Sequence, residues 1–155
     1  MAGDDNIQTT AEIAEQEVFR LGRAVHSDPS EPPSAEEQPL PPGVSKKPVE
    51  QKSAAEWAYE RLILYIKNFE AQLDTDQEVA MGFTDSGAGV IRIEGMGYFD
   101  PDIVTFYGTD GGGARTQLVQ HVTQLNVLLR AIPKPQEAEE PRRIGFRLAQ
   151  SLDEG

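Results

Sequence analysis

A chain of 155 residues is long enough for one domain of ordinary size, but a hydrophobic fraction of 38% and 11 prolines indicate that part of it does not fold. The net charge of −12 repels phosphate groups, so nucleic acid and anionic membranes are not expected partners. The chain has no cysteine, which excludes disulfides, cysteine-bound metals and thiol nucleophiles.

Residues 1–52 are predicted to be a disordered tail, since the run "SDPSEPPSAEEQPLPPGVSKKPVEQK" holds almost no large apolar side chain. A short amphipathic helix is predicted near residues 10–25, where Thr9 and Glu12 have the spacing of a capping box. The acidic start lacks the apolar core of a signal peptide, and no segment reaches the roughly 18 apolar residues of a membrane span. We therefore expect a cytoplasmic protein.

Residues 53–150 are predicted to form the folded domain, which opens with a helix in "SAAEWAYERLILYIKNFEAQLD". Ser53 and Glu56 have the capping-box spacing at its start. Apolar side chains then recur every three or four residues, which predicts one wide buried face. They are Ala58, Leu62, Tyr65, Ile66, Phe69 and Leu73.

The hydrophobic period then changes to two, which predicts strands in "EVAMGF", "GVIRIEGMGYF" and "IVTFYG". The turns between and after them are "TDSGAG", "DPD" and "TDGGGA", since Gly, Asp and Pro favour tight turns. Gly95 and Gly97 interrupt the alternation of the second strand and predict a β-bulge or a close backbone approach.

The last third of the chain is predicted less fully. "RTQLV", residues 115–119, fits either the return strand of a hairpin or the first turn of a helix. From His121 the spacing of apolar residues predicts a helix that Pro133 ends, and Ile144–Ala149 alternates like a final short strand. The fold class is then α+β, with an antiparallel sheet of about four to five strands flanked by two helices.

The runs "YERLILYIKNFEAQLD", "RIEGMGYFDPDIVTFYGTD" and "TQLVQHVTQLNVLLRAIP" resemble an uncharacterised bacterial domain-of-unknown-function family, numbered 6173 and frequent in alphaproteobacteria. The resemblance covers about Ala54 to Ala149. It implies a single compact domain and a bacterial cytoplasmic setting. It brings with it no activity, cofactor or site residue.

Polar candidates for a site lie around Asp100, Asp102, Asp110 and His121. A histidine beside an aspartate is the arrangement of a general base, and carboxylates bind hard cations. However, Asp, Pro and Gly together are typical of turns. The domain has one histidine and no cysteine, which excludes a His-rich metal site. The run "TDGGGA" lacks the Lys-Ser/Thr ending of a phosphate-binding loop. We predict no catalytic, cofactor or metal site.

Aromatic candidates lie on adjacent predicted strands, at Tyr98, Phe99, Phe106 and Tyr107. Alternation places Tyr98 and Phe99 on opposite faces, so at least one aromatic is expected to point away from the helices, as in a docking surface. The favoured hypothesis is a non-catalytic protein-binding, adaptor or chaperone-like module, whose partner is another protein or a second copy of the chain. The order of elements is also similar to secretion chaperones of the Tir-chaperone type.

An alternative function remains open from the sequence. The loops around Asp100–Asp102 and His121 would then form a small-ligand site or an active site. It requires a concave pocket in which His121 and an aspartate converge.

Overall fold

A computed structural model of the chain describes residues 22–83 and 89–154, with side chains up to residue 152. The chain divides into two compact units, Met1–Pro39 and Leu40–Gly155. In the described part of the first unit, Asp28 accepts hydrogen bonds from the backbone N–H and hydroxyl of Ser30, and Ala35–Glu37 forms a 3₁₀ turn. The helix expected near residues 10–25 lies almost entirely outside the described residues and stays a prediction.

The second unit is an α+β domain, as predicted from the sequence. It begins with a one-turn helix (Pro42–Ser45) and a 3₁₀ turn (Val49–Gln51). Helix α1 (Ala54–Glu70) is followed by strands β1 (Gln77–Phe83), β2 (Val90–Phe99), β3 (Ile103–Thr109) and β4 (Arg115–His121). A 3₁₀ turn (Val122–Gln124), strand β5 (Val127–Pro133) and helix α2 (Ile144–Glu154) complete it.

The five strands form one antiparallel sheet in the order β4-β3-β2-β1-β5. Each of β1, β2 and β3 pairs with the strand that follows it, and β5 returns to the free edge of β1. Both helices cover the same side of the sheet, called here the inner face. Its core residues are Val79, Met81, Phe83, Ile91, Ile93, Val104 and Phe106, packed with Ala55, Ile66 and Ile144 of the helices.

The segment before α1 also contributes to the packing of this domain. Val44 is fully buried and lies in a second apolar cluster with Ile63, Ala149 and Leu152, against which Leu40 packs. The packed part of the chain therefore starts ahead of residue 53, where the sequence analysis placed the domain boundary.

The helix predicted from His121 to Pro133 is wrong. One 3₁₀ turn, Val122–Gln124, follows His121, and Val127–Pro133 is strand β5. All seven residues of β5 pair with β1, which satisfies the backbone groups on the second edge of that strand. A short run of leucine, valine and isoleucine fits both structures, and the free edge of β1 decides between them.

The strand predicted for Ile144–Ala149 is also wrong, because these residues begin helix α2. Alternation would bury Phe146 together with Ile144, yet Phe146 is 57% exposed. The buried set follows helical spacing instead, at Ile144, Ala149 and Leu152. "RTQLV", left open between strand and helix, belongs to strand β4.

The start of α2 is held by a buried carboxylate from the end of α1. Glu70 accepts hydrogen bonds from the backbone N–H groups of Gly145 and Phe146, both at 3.1 Å. Two of the free donors at the helix N-terminus are satisfied in this way. A Cβ atom on Gly145 would lie 2.9 Å from both the backbone nitrogen and the Cα of Lys67, so only glycine permits this crossing.

A second buried carboxylate, Glu60, fixes the segment before α1. It lies 2.6 Å from the Nζ atom of Lys52, whose side chain is almost fully buried. The same ammonium group donates to the carbonyl oxygen of Val44 and lies 4.8 Å from the centre of the Trp57 ring. A buried lysine is stable only with such partners, so this network ties residues 44–52 to the helix.

We expect Gly145→Ala to lower the free energy of unfolding by about 1–3 kcal/mol, the usual cost of overpacking a tight contact. The matched control is Gly111→Ala, in a turn where a Cβ atom meets no neighbour. It should change stability by less than about 0.5 kcal/mol. Urea unfolding followed by circular dichroism measures both, and equal stability of the two variants would contradict the close helix crossing.

We also expect a pH dependence of stability from the two buried glutamates. Burial raises the pKa of Glu60 and of Glu70 above 4.5. Lys52 lowers the pKa of Glu60, and the N–H groups of α2 and Arg143 lower that of Glu70, but burial has the larger effect in both. The folded state therefore binds protons more tightly than the unfolded state. The resulting stabilisation is complete below pH 4.5 and is lost as pH rises through the raised pKa values.

The variant Glu70→Gln tests the direction of this pH dependence of stability. It should be less stable than the wild type at neutral pH, because one amide oxygen cannot replace both carboxylate oxygens at the start of α2. Its stability should also fall less steeply between mildly acidic and neutral pH. Urea unfolding across that range measures the slope, and Glu139→Gln, at an exposed position, is the control. An unchanged slope in Glu70→Gln would contradict the assignment.

Candidate functional site

A one-residue bulge in β2 decides which side chains leave the helix-covered core. The pairing of β2 with β3 shifts between Ile93 and Gly95, so Glu94 is the extra residue. Without it, strict alternation would place Phe99 on the same face as the buried Ile93. With it, Tyr98 points to the inner face and Phe99 to the opposite face, called here the outer face.

The outer face of β2, β3 and β4 carries exposed apolar side chains. The largest are Phe99, 76% exposed, Val119, 58% exposed, and Tyr107, 43% exposed. They belong to three rows of cross-strand neighbours, which run Gly95–Tyr107–Gln117, Gly97–Thr105–Val119 and Phe99–Ile103–His121. The face is therefore a shallow sheet surface, with Phe99 at one corner and the edge strand β4 along one side.

Two glycines of β2 give this face its flat centre. The ring of Tyr107 lies over them, since a Cβ atom on Gly95 would be 3.7 Å from its Cδ2 atom and one on Gly97 would be 3.8 Å from Cε2. A side chain at Gly97 would also meet the hydroxyl of Thr105 at 2.8 Å. The aromatic ring covers backbone that glycine leaves bare, which fixes its position on the surface.

Tyr98 lies on the other side of the sheet, against helix α1. Its ring centre is 5.0 Å from that of Tyr59, and burial raises the pKa of Tyr98, with nearby acidic groups adding to the effect. Both rings border an open cleft of about 550 Å³. The cleft is lined by Gly43, Lys46, Lys47, Glu56, Tyr59, Glu60, Tyr98, Ser151 and Leu152.

The carboxylates of this cleft already have cationic partners within the domain. Lys47 Nζ lies 3.0 Å from Glu56 Oε1, and Lys52 binds Glu60. Neither His121 nor Asp102 lines the cleft. The cleft therefore offers a small ligand no carboxylate that lacks a cationic partner.

The acidic turn between β2 and β3, Asp100–Asp102, is a junction of the fold. Its first peptide bond, Asp100–Pro101, is cis. Asp100 accepts a hydrogen bond from the hydroxyl of Ser53 at 2.5 Å, and the carbonyl oxygen of Pro101 accepts from the N–H of Ala55 at 3.0 Å. The turn therefore anchors the N-terminus of α1, where a carboxylate is favourable.

Asp102 connects the same turn to the end of β4. Its carbonyl oxygen accepts from the N–H of Val122 at 2.8 Å, and its Oδ2 atom lies 2.9 Å from Nε2 of His121. Sequence reasoning considered this pair of side chains as a general base with its partner. The structure brings them together, at the surface, with 43% of the histidine and 40% of the aspartate side chain exposed.

The second nitrogen of His121 is also engaged. Nδ1 accepts a hydrogen bond from the N–H of Thr123 at 3.2 Å, which leaves the ring proton on Nε2 for Asp102. The N–H of His121 donates to Gln124 Oε1 at 2.9 Å, which completes a capping box. One ring nitrogen holds the 3₁₀ turn and the other holds Asp102, so the ring has no free base for a substrate.

Among the residues that the structure describes, no three His, Asp or Glu side chains gather as metal ligands. Asp110 has a different role from Asp102, because its carboxylate accepts hydrogen bonds from the N–H groups of Gly112 and Ala114 within its own turn. No helix within residues 22–83 and 89–154 is long and apolar enough to cross a membrane.

The structure places the six residues singled out from the sequence in three different surroundings. Phe99 and Tyr107 lie on the outer face, Tyr98 borders the cleft, and the acidic turn and His121 form the junction. Sequence reasoning missed Val119, because the strand that carries it was not assigned. The available signal was the β-branched side chain of Val119, a residue type that favours strands.

Comparison with known proteins gives a family and no activity. A family model described as "Family of unknown function (DUF6173)" matches residues 47–147. No curated protein and no solved structure matches the chain.

We expect His121→Ala to lower the free energy of unfolding by about 1–2 kcal/mol, because it removes a cap and a hydrogen bond between two parts of the domain. The chain offers a matched control in His26→Ala, at an exposed position, which should cost less than about 0.5 kcal/mol. Asp102→Asn keeps an acceptor oxygen and should retain most of the stability. Urea unfolding measures all three, and no loss in His121→Ala would contradict the capping role.

Proposed function

Because the chain belongs to DUF6173, a family of unknown function, we propose its function from the site itself, as a non-catalytic protein-binding module with adaptor or chaperone-like use. The outer face of β2, β3 and β4 is the proposed docking surface. The observation that carries the proposal is the exposure of Phe99, Val119 and Tyr107 on one side of the sheet. The bacterial origin and the cytoplasmic location remain predictions from the resemblance.

The chemistry of this face favours another protein as the occupant. It is shallow, so it fits a surface or an extended segment better than a small molecule. Phe99 gives an aromatic anchor of the kind that dominates binding energy at protein interfaces. Ile103 and Val119 extend the apolar area from that anchor, and Thr105 and Gln117 supply polar groups among them.

The charge of the chain favours a basic partner segment. The sequence has 26 acidic against 14 basic residues, so its field attracts positively charged proteins and speeds their association. We therefore propose a partner that presents apolar side chains flanked by lysine or arginine. In this proposal the N-terminal residues 1–39 serve as a tether or as a second contact.

The small-ligand or enzyme alternative receives less support from the same geometry. Its central pair, His121 and Asp102, meets at hydrogen-bond distance, but both ring nitrogens hold the fold together. Neither residue lines the cleft beside Tyr59 and Tyr98, and the carboxylates of that cleft have cationic partners. The protein-binding proposal instead uses exposed apolar side chains of the outer face, Phe99 above all.

The test is affinity purification of the tagged full-length protein from cells that express it, in three forms. These are the wild type, Phe99→Ser, and the control Phe146→Ser, which removes a similarly exposed phenylalanine from helix α2. We expect one stoichiometric partner whose Kd for Phe99→Ser rises about tenfold or more, as for a binding hot spot. The control should bind as the wild type does.

Two further readouts sharpen this result. Binding of the purified partner should weaken as salt concentration rises, if opposite charges steer the encounter. A chain without residues 1–39 shows whether the N-terminal segment adds to affinity. Recovery of no stoichiometric partner, or an equal loss in Phe99→Ser and Phe146→Ser, would contradict the proposed surface.

A further inference from the structure

Strand β4 presents an open edge along its whole length. It pairs with β3 over seven residues, Arg115 to His121, without a bulge. No other strand of residues 22–83 and 89–154 pairs with it. Unpaired N–H and C=O groups on such an edge form a template for a further strand, so an edge strand of a protein that stays monomeric is usually protected.

The usual protections are absent from the middle of β4. Residues 116–120, "TQLVQ", contain no charge and no proline. By contrast β5, at the other edge of the sheet, has Arg130 at its centre and ends at Pro133. Val119, the exposed apolar residue of β4, is β-branched and suits a strand with neighbours on both sides.

The sequence of β4 is complementary to itself in one antiparallel register. Pairing all seven residues with a second copy places Leu118 opposite Leu118 on a two-fold axis and Gln117 opposite Val119. Arg115 then falls opposite His121 of the second copy, beside Asp102, which is bound to that histidine. The exposed cation of each chain thus meets an aspartate of the other.

We propose that two copies of the chain associate through their β4 edges into a symmetric dimer with one continuous ten-stranded sheet. The inference goes beyond the protein-binding proposal and does not depend on it. The two outer faces then lie side by side on one surface. One row of that surface then runs from Tyr107 and Gln117 of one copy to Val119 and Thr105 of the other.

The first test is the mass of the full-length protein in solution, measured by sedimentation equilibrium near physiological salt, which screens the repulsion between two acidic chains. We expect a species of twice the chain mass of 17.0 kDa. The double variant Gln117→Lys/Val119→Lys places like charges directly opposite each other and should be a monomer. The double variant Phe146→Lys/Gln150→Lys adds the same charge on exposed positions of α2 and should remain a dimer.

The second test measures the register in which the two β4 strands pair. Because the chain has no cysteine, introduced cysteines can form disulfides only with each other. On mild oxidation, a mixture of Gln117→Cys and Val119→Cys proteins should form more disulfide-linked dimer than either protein does alone. Alternatively, Leu118→Cys protein should form a disulfide-linked dimer by itself. One of these two pairs is the closer, non-hydrogen-bonded kind that permits a disulfide. Gln117→Cys mixed with Phe146→Cys is the control.

Two outcomes would overturn the dimer. One is a wild-type protein that stays monomeric at every concentration, which would leave the edge to a strand of another protein or to none. The other is a dimer whose edge cysteines cross-link no faster than the control mixture. Neither result bears on Phe99, so the dimer and the docking surface stand or fall separately.

Discussion

The extra residue in β2 is the constraint on which the functional surface depends. Glu94 shifts the pairing with β3 by one position, and every side chain after it changes face. Tyr98 then meets Tyr59 of α1, and Phe99 reaches solvent. In a strand without the bulge, the phenylalanine would be buried and the tyrosine would occupy the outer face, so one residue separates a sealed core from a surface with an aromatic anchor.

Acidic residues in this protein act mainly as connectors of backbone. Asp100 and Asp102 join the β2–β3 turn to the start of α1 and to the end of β4, and Glu78 accepts from the guanidinium of Arg92 and from the N–H of Arg142, both at 2.7 Å. A carboxylate has two oxygens and accepts several hydrogen bonds, so it suits points where two segments of chain end. Clustered acids beside a proline are therefore compatible with a purely structural role.

The sequence was sufficient where local signals agreed and insufficient where a distant partner decided. Periodicity and the Ser53 cap predicted α1, and turn residues delimited the first three strands. Residues 127–133 and 144–149 fit two periods each, and only the edge of β1 and the carboxylate of Glu70 select the structure. Likewise Gly95 and Gly97 indicated a bulge, but its position at Glu94 follows from pairing with β3.

The position of Glu70 makes folding of the domain cooperative. At the last turn of α1 a negative charge opposes the dipole of its own helix, whereas at the first turn of α2 it is favourable. Its partners are 75 and 76 residues further along the chain. Glu70 thus weakens α1 in isolation, and its hydrogen bonds to the N–H groups of α2 form only in the finished domain. Partly folded chains gain little from forming this helix early, and the transition from unfolded to native chain is driven towards a single step.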